Sequence, residues 1–304
     1  MPAFEVAGLR KRYGPVHALR GVSFALEPGE VFGYLGPNGA GKTTTLRIAV
    51  GLVRADAGVV RLLGEPAGRA RARERIGYLP GELRLWEEQS GRALLDHFAR
   101  CRPSRPPVLR GRLLEAFGLA AADLERRVKF LSHGTRRKLG LVLAMQHDPD
   151  LLLLDEPTAG LDPLVQRAFR EVVLERGRAG RTVLLSSHVL SEVEAVCGRV
   201  AILRAGELLA LESIEGLRTR MLRRASVRFR GPAPGGLARL PGVERAEVSG
   251  DEATLWVRGD VNPLLGEVAR AGVEQFVFPE PQLEDIFLAY YEGGGGAAET
   301  GARP

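Results

Sequence analysis

The residues best suited to chemistry form one short run, Gly36-Pro-Asn38-Gly39-Ala-Gly41-Lys42-Thr43-Thr44. It fits the template of a phosphate-binding loop, in which glycines let the main chain fold tightly enough for several amide N–H groups to converge on phosphate oxygens. A helix that starts here adds its positive end. Lys42 is expected to reach the β- and γ-phosphates of a nucleoside triphosphate, and the Thr43 hydroxyl to bind magnesium. The basic residues sharpen this reading. Of 43 lysines and arginines only Lys11, Lys42, Lys129 and Lys138 are lysines, and one of the four stands at the position the template requires.

A second constellation, Leu151-Leu-Leu-Leu-Asp155-Glu156-Pro-Thr, begins 109 residues after Lys42. An aspartate at the end of a buried strand beside a phosphate loop can hold magnesium, here Asp155. Glu156 is then placed to orient or deprotonate an attacking water. A solvated acidic turn is the plain alternative, and the phosphate loop upstream argues against it.

These groups need elements to hold them. Residues 4–9 and 16–26 alternate polar and apolar side chains and predict antiparallel strands. Val31 to Gly36 reads as a buried strand running into the glycine turn, and the helical pattern of TTTLRIAVGL follows. Residues 89–146 are mostly helix-like, with a proline-rich loop at 103–107. Leu151–Leu154 and Thr182–Ser186 are short apolar runs of the kind buried on both faces of a parallel sheet, with a helix around Val165–Arg176 between them. This alternation predicts an α/β fold. After a basic connector at Arg218–Arg224, the order changes to strand 226–229, short helix 236–240, strands 243–248 and 253–257, helix 263–271, strand 274–278 and helix 282–291. That order predicts a small ferredoxin-like α+β domain. The expected domains are thus 1–217 and 225–292, with a glycine-rich disordered tail at 293–304.

Further residues carry a resemblance. Leu131-Ser132-His133-Gly134-Thr135-Arg136 resembles the signature motif of the ATP-binding-cassette superfamily, and Ser132 stands 24 residues before Glu156, as in that family. Ala159-Gly-Leu-Asp162 is similar to its dimer-contact loop. His188, which stands 32 residues beyond Glu156, is similar to its switch histidine, and Tyr13 to the aromatic residue that stacks on adenine. The resemblance implies a P-loop NTPase domain of that type, with a parallel core, an antiparallel β subdomain and a helical subdomain. It implies ATP and magnesium as ligands, hydrolysis catalysed by Glu156 and His188, and a second cassette whose Ser132 and Gly134 close the site in trans. One copy of each motif per chain makes a homodimer the expectation. The partner in the membrane would be a separate permease. The ending Pro281-Gln-Leu-Glu-Asp-Ile-Phe-Leu is similar to the tails of bacterial cassettes that export drugs, antibiotics or lipids. Soluble relatives that act on ribosomes or DNA, and a cassette with little hydrolysis, are the competing implications.

Two departures from the family pattern stand out. His133 and Thr135 replace the usual glycine and glutamine of the signature. After Ile76-Gly-Tyr-Leu-Pro80, where the family carries a glutamine that touches magnesium and water, the residue is Gly81, followed by Glu82. The loop Gly81–Trp86 is still expected to dock the permease.

Composition is consistent with this picture. The 304 residues are 45% hydrophobic and 26% charged, enough to build a core. No apolar run approaches the roughly 18 residues of a membrane helix and no secretory signal is visible, so the expected location is cytoplasmic, on the inner membrane face through the permease. A net charge of +6 comes from arginines spread along the chain rather than from one patch, so no nucleic-acid partner is expected. Cys101 and Cys197 have no metal-type spacing and read as reduced thiols.

Overall fold

The structure, a computed structural model, describes residues 1–219 and 223–279. The chain divides into two compact units, Met1–Glu212 and a second that begins at Ser213, a few residues before the expected end of the first domain.

In the first unit, β1 (Phe4–Tyr13) and β2 (Val16–Leu26) form the expected antiparallel hairpin. Two more strands, β4 (Ala57–Leu62) and the short β5 (Glu65–Pro66), extend it to a sheet of order β2-β1-β4-β5. The core sheet has six strands in the order β10-β9-β3-β8-β7-β6. They are β3 (Val31–Leu35), β6 (Ile76–Leu79), β7 (Leu151–Asp155), β8 (Thr182–Ser187), β9 (Arg199–Arg204) and β10 (Glu207–Ser213). From β9 through β6 every neighbouring pair is parallel.

Alternation along the core strands splits their side chains between two faces. Phe32, Tyr34, Leu151, Leu153, Leu184 and Ala201 pack with Leu46 of α1 (Lys42–Ala49) and with Phe4, Phe24 and Leu26 of the antiparallel sheet. The opposite face is closely covered by helices. A Cβ on Gly33 would lie 2.2 Å from Val193 of α8 (Leu190–Glu194), which explains a glycine in the middle of a core strand. A short helix, α2 (Ala70–Arg75), leads into β6; the helical part comprises α3 (Gly91–Arg100), α4 (Arg110–Ala116), α5 (Ala121–Glu125) and α6 (His133–Met145), and α7 (Pro163–Arg178) joins β7 to β8.

Local pattern alone does not mark β4, β5, β6, β9 and β10 as strands. The β9–β10 hairpin hides because its two-residue turn, Ala205-Gly206, places a non-glycine at φ 47° where asparagine or aspartate is the usual signal.

In the second unit, β11 (Arg223–Phe229), β12 (Val243–Ser249), β13 (Glu252–Val257) and β14 (Val273–Val277) form a fully antiparallel sheet of order β12-β13-β11-β14. With α10 (Asn262–Ala271) between β13 and β14, this is the ferredoxin-like arrangement. Its first crossover holds only a single 3-10 turn, Leu237–Arg239, in place of the expected short helix. Ala225, Val227, Phe229 and Leu255 pack beneath Leu264 and Val268 of α10. The described residues at the two ends of the expected connector belong to α9 (Ile214–Thr219) and to β11, which starts at Arg223. The helix expected at 282–291, the ending that begins at Pro281 and the tail at 293–304 lie outside the described residues.

His147, on the turn between α6 and β7, is buried, with Nε2 3.1 Å from the Ile76 carbonyl and Nδ1 without a hydrogen-bond partner. Burial, and then the charge of Arg102, push its pKa from 6.5 down to about 4. The unfolded chain therefore binds this proton more readily than the folded one. Stability should be complete above pH 6.5 and decline as pH falls towards 4, with a loss of about 2 kcal/mol by pH 5. Thermal melting of His147→Gln should show a flatter pH dependence between pH 7 and 5 than the wild type; parallel curves would contradict it.

Candidate functional site

Three parallel strands end level with one another. The register pairs Leu35 with Ser187 and Asp155 with Ser186, so the residues that leave β3, β7 and β8 emerge side by side, about 5 Å apart. Such carboxyl ends are where open α/β sheets build their sites. Here they deliver the glycine loop, Asp155-Glu156 and Ser187-His188 to one place.

The loop spans from the end of β3 to α1. Gly36 and Gly41 are buried while Asn38 and Gly39 face solvent. Gly41 adopts φ 112°, and a Cβ there would lie 2.5 Å from the Ala18 carbonyl, so no other residue fits without moving the β2 main chain. Thr45 fastens the base of the loop, its hydroxyl 3.1 Å from the Gly41 carbonyl and 3.1 Å from the buried Tyr34 hydroxyl. Thr43 and Thr44 are half-buried on the first turn of α1.

Lys42 folds back over this loop. It is 5% exposed, and its ammonium donates to the carbonyls of Gly36 (2.5 Å) and Pro37 (3.2 Å). Glu156 Oε1 lies 3.4 Å from the same nitrogen. The other carboxylate oxygen, Oε2, sits 2.7 Å from His188 Nδ1. Glu156 is thus gripped between a buried cation and a histidine whose side chain is half exposed. Its backbone lies at φ 50°, a conformation that a residue with a side chain adopts only under constraint. The main chain supplies that constraint, because Glu156 N–H donates to the Ser186 carbonyl at 3.1 Å.

Asp155 is wholly buried. Ser186 Oγ donates to its Oδ1 at 2.5 Å, while Oδ2 has no hydrogen-bond partner. A buried carboxylate oxygen without a partner is costly unless something binds it, and a hard cation such as magnesium suits it. Gly81 approaches from the side, and a Cβ on it would lie 3.1 Å from that oxygen. The departure at Gly81 thus lets the main chain itself close on Asp155. Glu82, the next residue of this loop, is exposed and pairs with Arg84 at 3.7 Å.

Lys42, Glu156 and His188 are joined by direct contacts. Among the described residues no hydrogen bond or ion pair links this group to Ser132, Gly134, Asp162 or Tyr13. Ser132 is the N-cap of α6, its Oγ accepting from Thr135 N–H at 3.1 Å. Gly134 is packed so that a Cβ would lie 3.2 Å from the Gly160 carbonyl, which joins the signature to the loop ending at Asp162. Asp162 caps α7 and lies 3.4 Å from Lys138. Tyr13 ends β1 with 46% of its surface exposed and Lys11 over its ring at 5.3 Å.

A family model described as ABC transporter matches residues 19–159. The Nod factor export ATP-binding protein I of Paraburkholderia xenovorans (strain LB400) is 36% identical over 298 residues, covering 94% of this chain and 96% of that protein. The chain belongs to the ATP-binding proteins of ABC transporters. A solved ATP binding subunit of an ABC transporter matches this cassette with a TM-score of 0.66 at 30% identity, over 71% of this chain and 92% of that one. An uncharacterized ABC transporter ATP-binding protein of Nostoc sp. (strain PCC 7120 / SAG 25.82 / UTEX 2576) is 41% identical over 206 residues, 66% of this chain and 62% of that protein.

Sequence reasoning missed two supports of the cassette's site. Ser186 was read only as the end of a strand, and Arg137, which bonds the carbonyls beneath Glu156, is one of many arginines with nothing in its spacing to mark it.

Because Gly41 is packed against backbone, Gly41→Ala should lower stability by about 2 kcal/mol or more and weaken nucleotide retention. Melting temperature and binding of a fluorescent ATP analogue measure both, and unchanged values would contradict the packing argument.

Proposed function

We propose that this cassette binds ATP with magnesium, hydrolyses it as one of a pair, and so powers export through a separate membrane permease. The observation that carries the reading is the Glu156 carboxylate, held 3.4 Å from Lys42 and 2.7 Å from His188 at the mouth of a glycine loop. An acid poised beside a phosphate-binding lysine is what in-line attack by water on a γ-phosphate needs.

In this mechanism the amides of the Gly36–Gly41 loop and the first turn of α1 receive the phosphates, and Lys42 exchanges its own loop's carbonyls for phosphate oxygens. Tyr13, exposed at the end of β1, stacks on the adenine. Thr43 and Asp155 Oδ2 would hold magnesium, which neutralises charge on the phosphates. Among the described residues no three acidic, histidine or cysteine side chains converge, so the rest of its coordination would come from phosphate and water. Glu156 accepts the proton of the attacking water while the bond from γ-phosphorus to the ADP oxygen breaks, and His188 holds Glu156 and the γ-phosphate in line. Ser132 and Gly134 of a second copy present the start of α6 to the same phosphate, with Asp162 in the contact between copies.

No helix among the described residues is long and apolar enough to cross a membrane, which fits a separate permease. A groove of about 310 Å³, lined by Tyr78, Pro80, Leu83, Leu85, Phe98 and Leu143, offers apolar surface beside the Gly81–Trp86 loop. Trp86, 54% exposed, does not line the groove but stacks on one of its lining residues, its ring 6.1 Å from that of Phe98. Docking here would bring the chain from the cytoplasm to the inner membrane face. The relatives named for Nod factor export match along nearly their whole length, which supports export as the direction.

Two measurements test the proposal. Glu156→Gln should bind ATP with near wild-type affinity, accumulate as a dimer and lose at least about 100-fold in turnover, whereas Lys42→Ala should lose ATP binding itself; a Glu156→Gln protein that hydrolyses normally removes Glu156 from the role of base. Trp86→Ala should reduce co-purification with the permease several-fold while leaving ATP affinity within about twofold; an unaffected complex moves the dock elsewhere.

A further inference from the structure

Of the charged residues on α6 only Arg137 is buried, at 3% exposure, and among the described residues no carboxylate lies within ion-pair distance of it, although the charges of Asp155 and Glu156 are near enough to favour its charged form. Its guanidinium instead bonds five main-chain carbonyls on two separate segments. Nη1 donates to Pro80 (2.8 Å) and Gly81 (3.1 Å). Nη2 donates to Asp155 (2.8 Å) and Glu156 (2.5 Å), and Nε to Pro157 (3.3 Å). We propose that Arg137 is a positioning residue that ties the docking loop to the strand end carrying Glu156, so that the aim of the Glu156 carboxylate follows the main chain at Pro80–Gly81.

Three observations carry this. First, the sheet ladder between β6 and β7 stops at the pair Leu79–Leu154. Beyond it Pro80 cannot donate and Gly81 has no side chain, so the guanidinium takes over the bridge between the two segments. Second, Glu156 is held in its left-handed conformation from both sides, by Ser186 at its N–H and by Arg137 at its carbonyl. Releasing one side lets that peptide relax towards an ordinary conformation and swings the carboxylate away from Lys42 and His188. Third, burying an arginine without an ion pair is unfavourable unless its donors are used, and here all three nitrogens are. A single ammonium cannot span both segments with that geometry. The same helix begins at Ser132, so a displacement of either its start or the docking loop reaches Glu156 through one side chain.

The inference rests on Glu156 as the base. The test compares full-length wild type with Arg137→Lys and Arg137→Gln for ATP turnover, KM and melting temperature. The variants should remain folded and keep KM within about threefold, because Arg137 touches neither the glycine loop nor Lys42, while kcat falls at least about tenfold in both and lysine fails to rescue it. A kcat within about twofold of wild type in either folded variant overturns the proposal, as does a failure of both to fold, which would assign Arg137 to the core alone. A wild-type protein without turnover overturns the reading of Glu156 itself, and this inference with it.

Discussion

A buried ammonium must find acceptors, and Lys42 finds them in the carbonyls of its own loop and in Glu156. That requirement organises the first unit. Burying a cation at the start of a helix is unfavourable by charge and by helix dipole alike, so the position makes sense only where anions are expected. The glycines keep the loop tight enough to enclose the nitrogen, and the hydroxyls of Tyr34 and Thr45 hold the floor beneath it.

The same constraint explains the sheet. Lys42 and Glu156 belong to segments over a hundred residues apart in sequence, and only parallel strands that end level can bring them within 3.4 Å. The parallel register of β3, β8 and β7 brings the two segments side by side through main-chain pairing alone. Side chains then set the finer geometry. Ser186 turns Asp155 so that one oxygen is bonded and the other left open, and His188 takes the second oxygen of Glu156. At Gly81 the balance shifts towards the main chain: with no side chain to reach the site, the loop backbone lies against Asp155 and its carbonyls are gathered by Arg137.

The second unit obeys a different rule. Its four antiparallel strands bury one face under α10 and leave the other polar, with Arg228 paired to Glu252 and the Arg245 guanidinium over the Trp256 ring at 4.7 Å. Its core is small, and its first crossover is reduced to one 3-10 turn, since Gly235-Gly236 and the proline at 232 leave too few helix-forming residues for a full turn of α-helix.

Local chemistry was legible in the chain by itself. The glycine loop with Lys42, the acidic pair after four leucines, and the order of motifs from Tyr13 to His188 are written in contiguous residues, because tight turns and strand ends constrain residue type at adjacent positions. The ferredoxin-like order of the second unit could be read for the same reason, from alternation over short runs. Tertiary structure alone decided the rest. The left-handed twist of Glu156 comes from hydrogen bonds to β8 and α6, which no local pattern encodes. Ala205 in a positive-φ turn was invisible for a related reason: the pairing of β9 with β10 enforces it against the residue's own preference. Arg137 differs from its neighbours only in which way α6 turns it, and that direction is set by packing against β6 and β7. Residue type announces what a site can bind, whereas the carbonyls that fix its aim carry no residue identity and become visible only when the chain is folded.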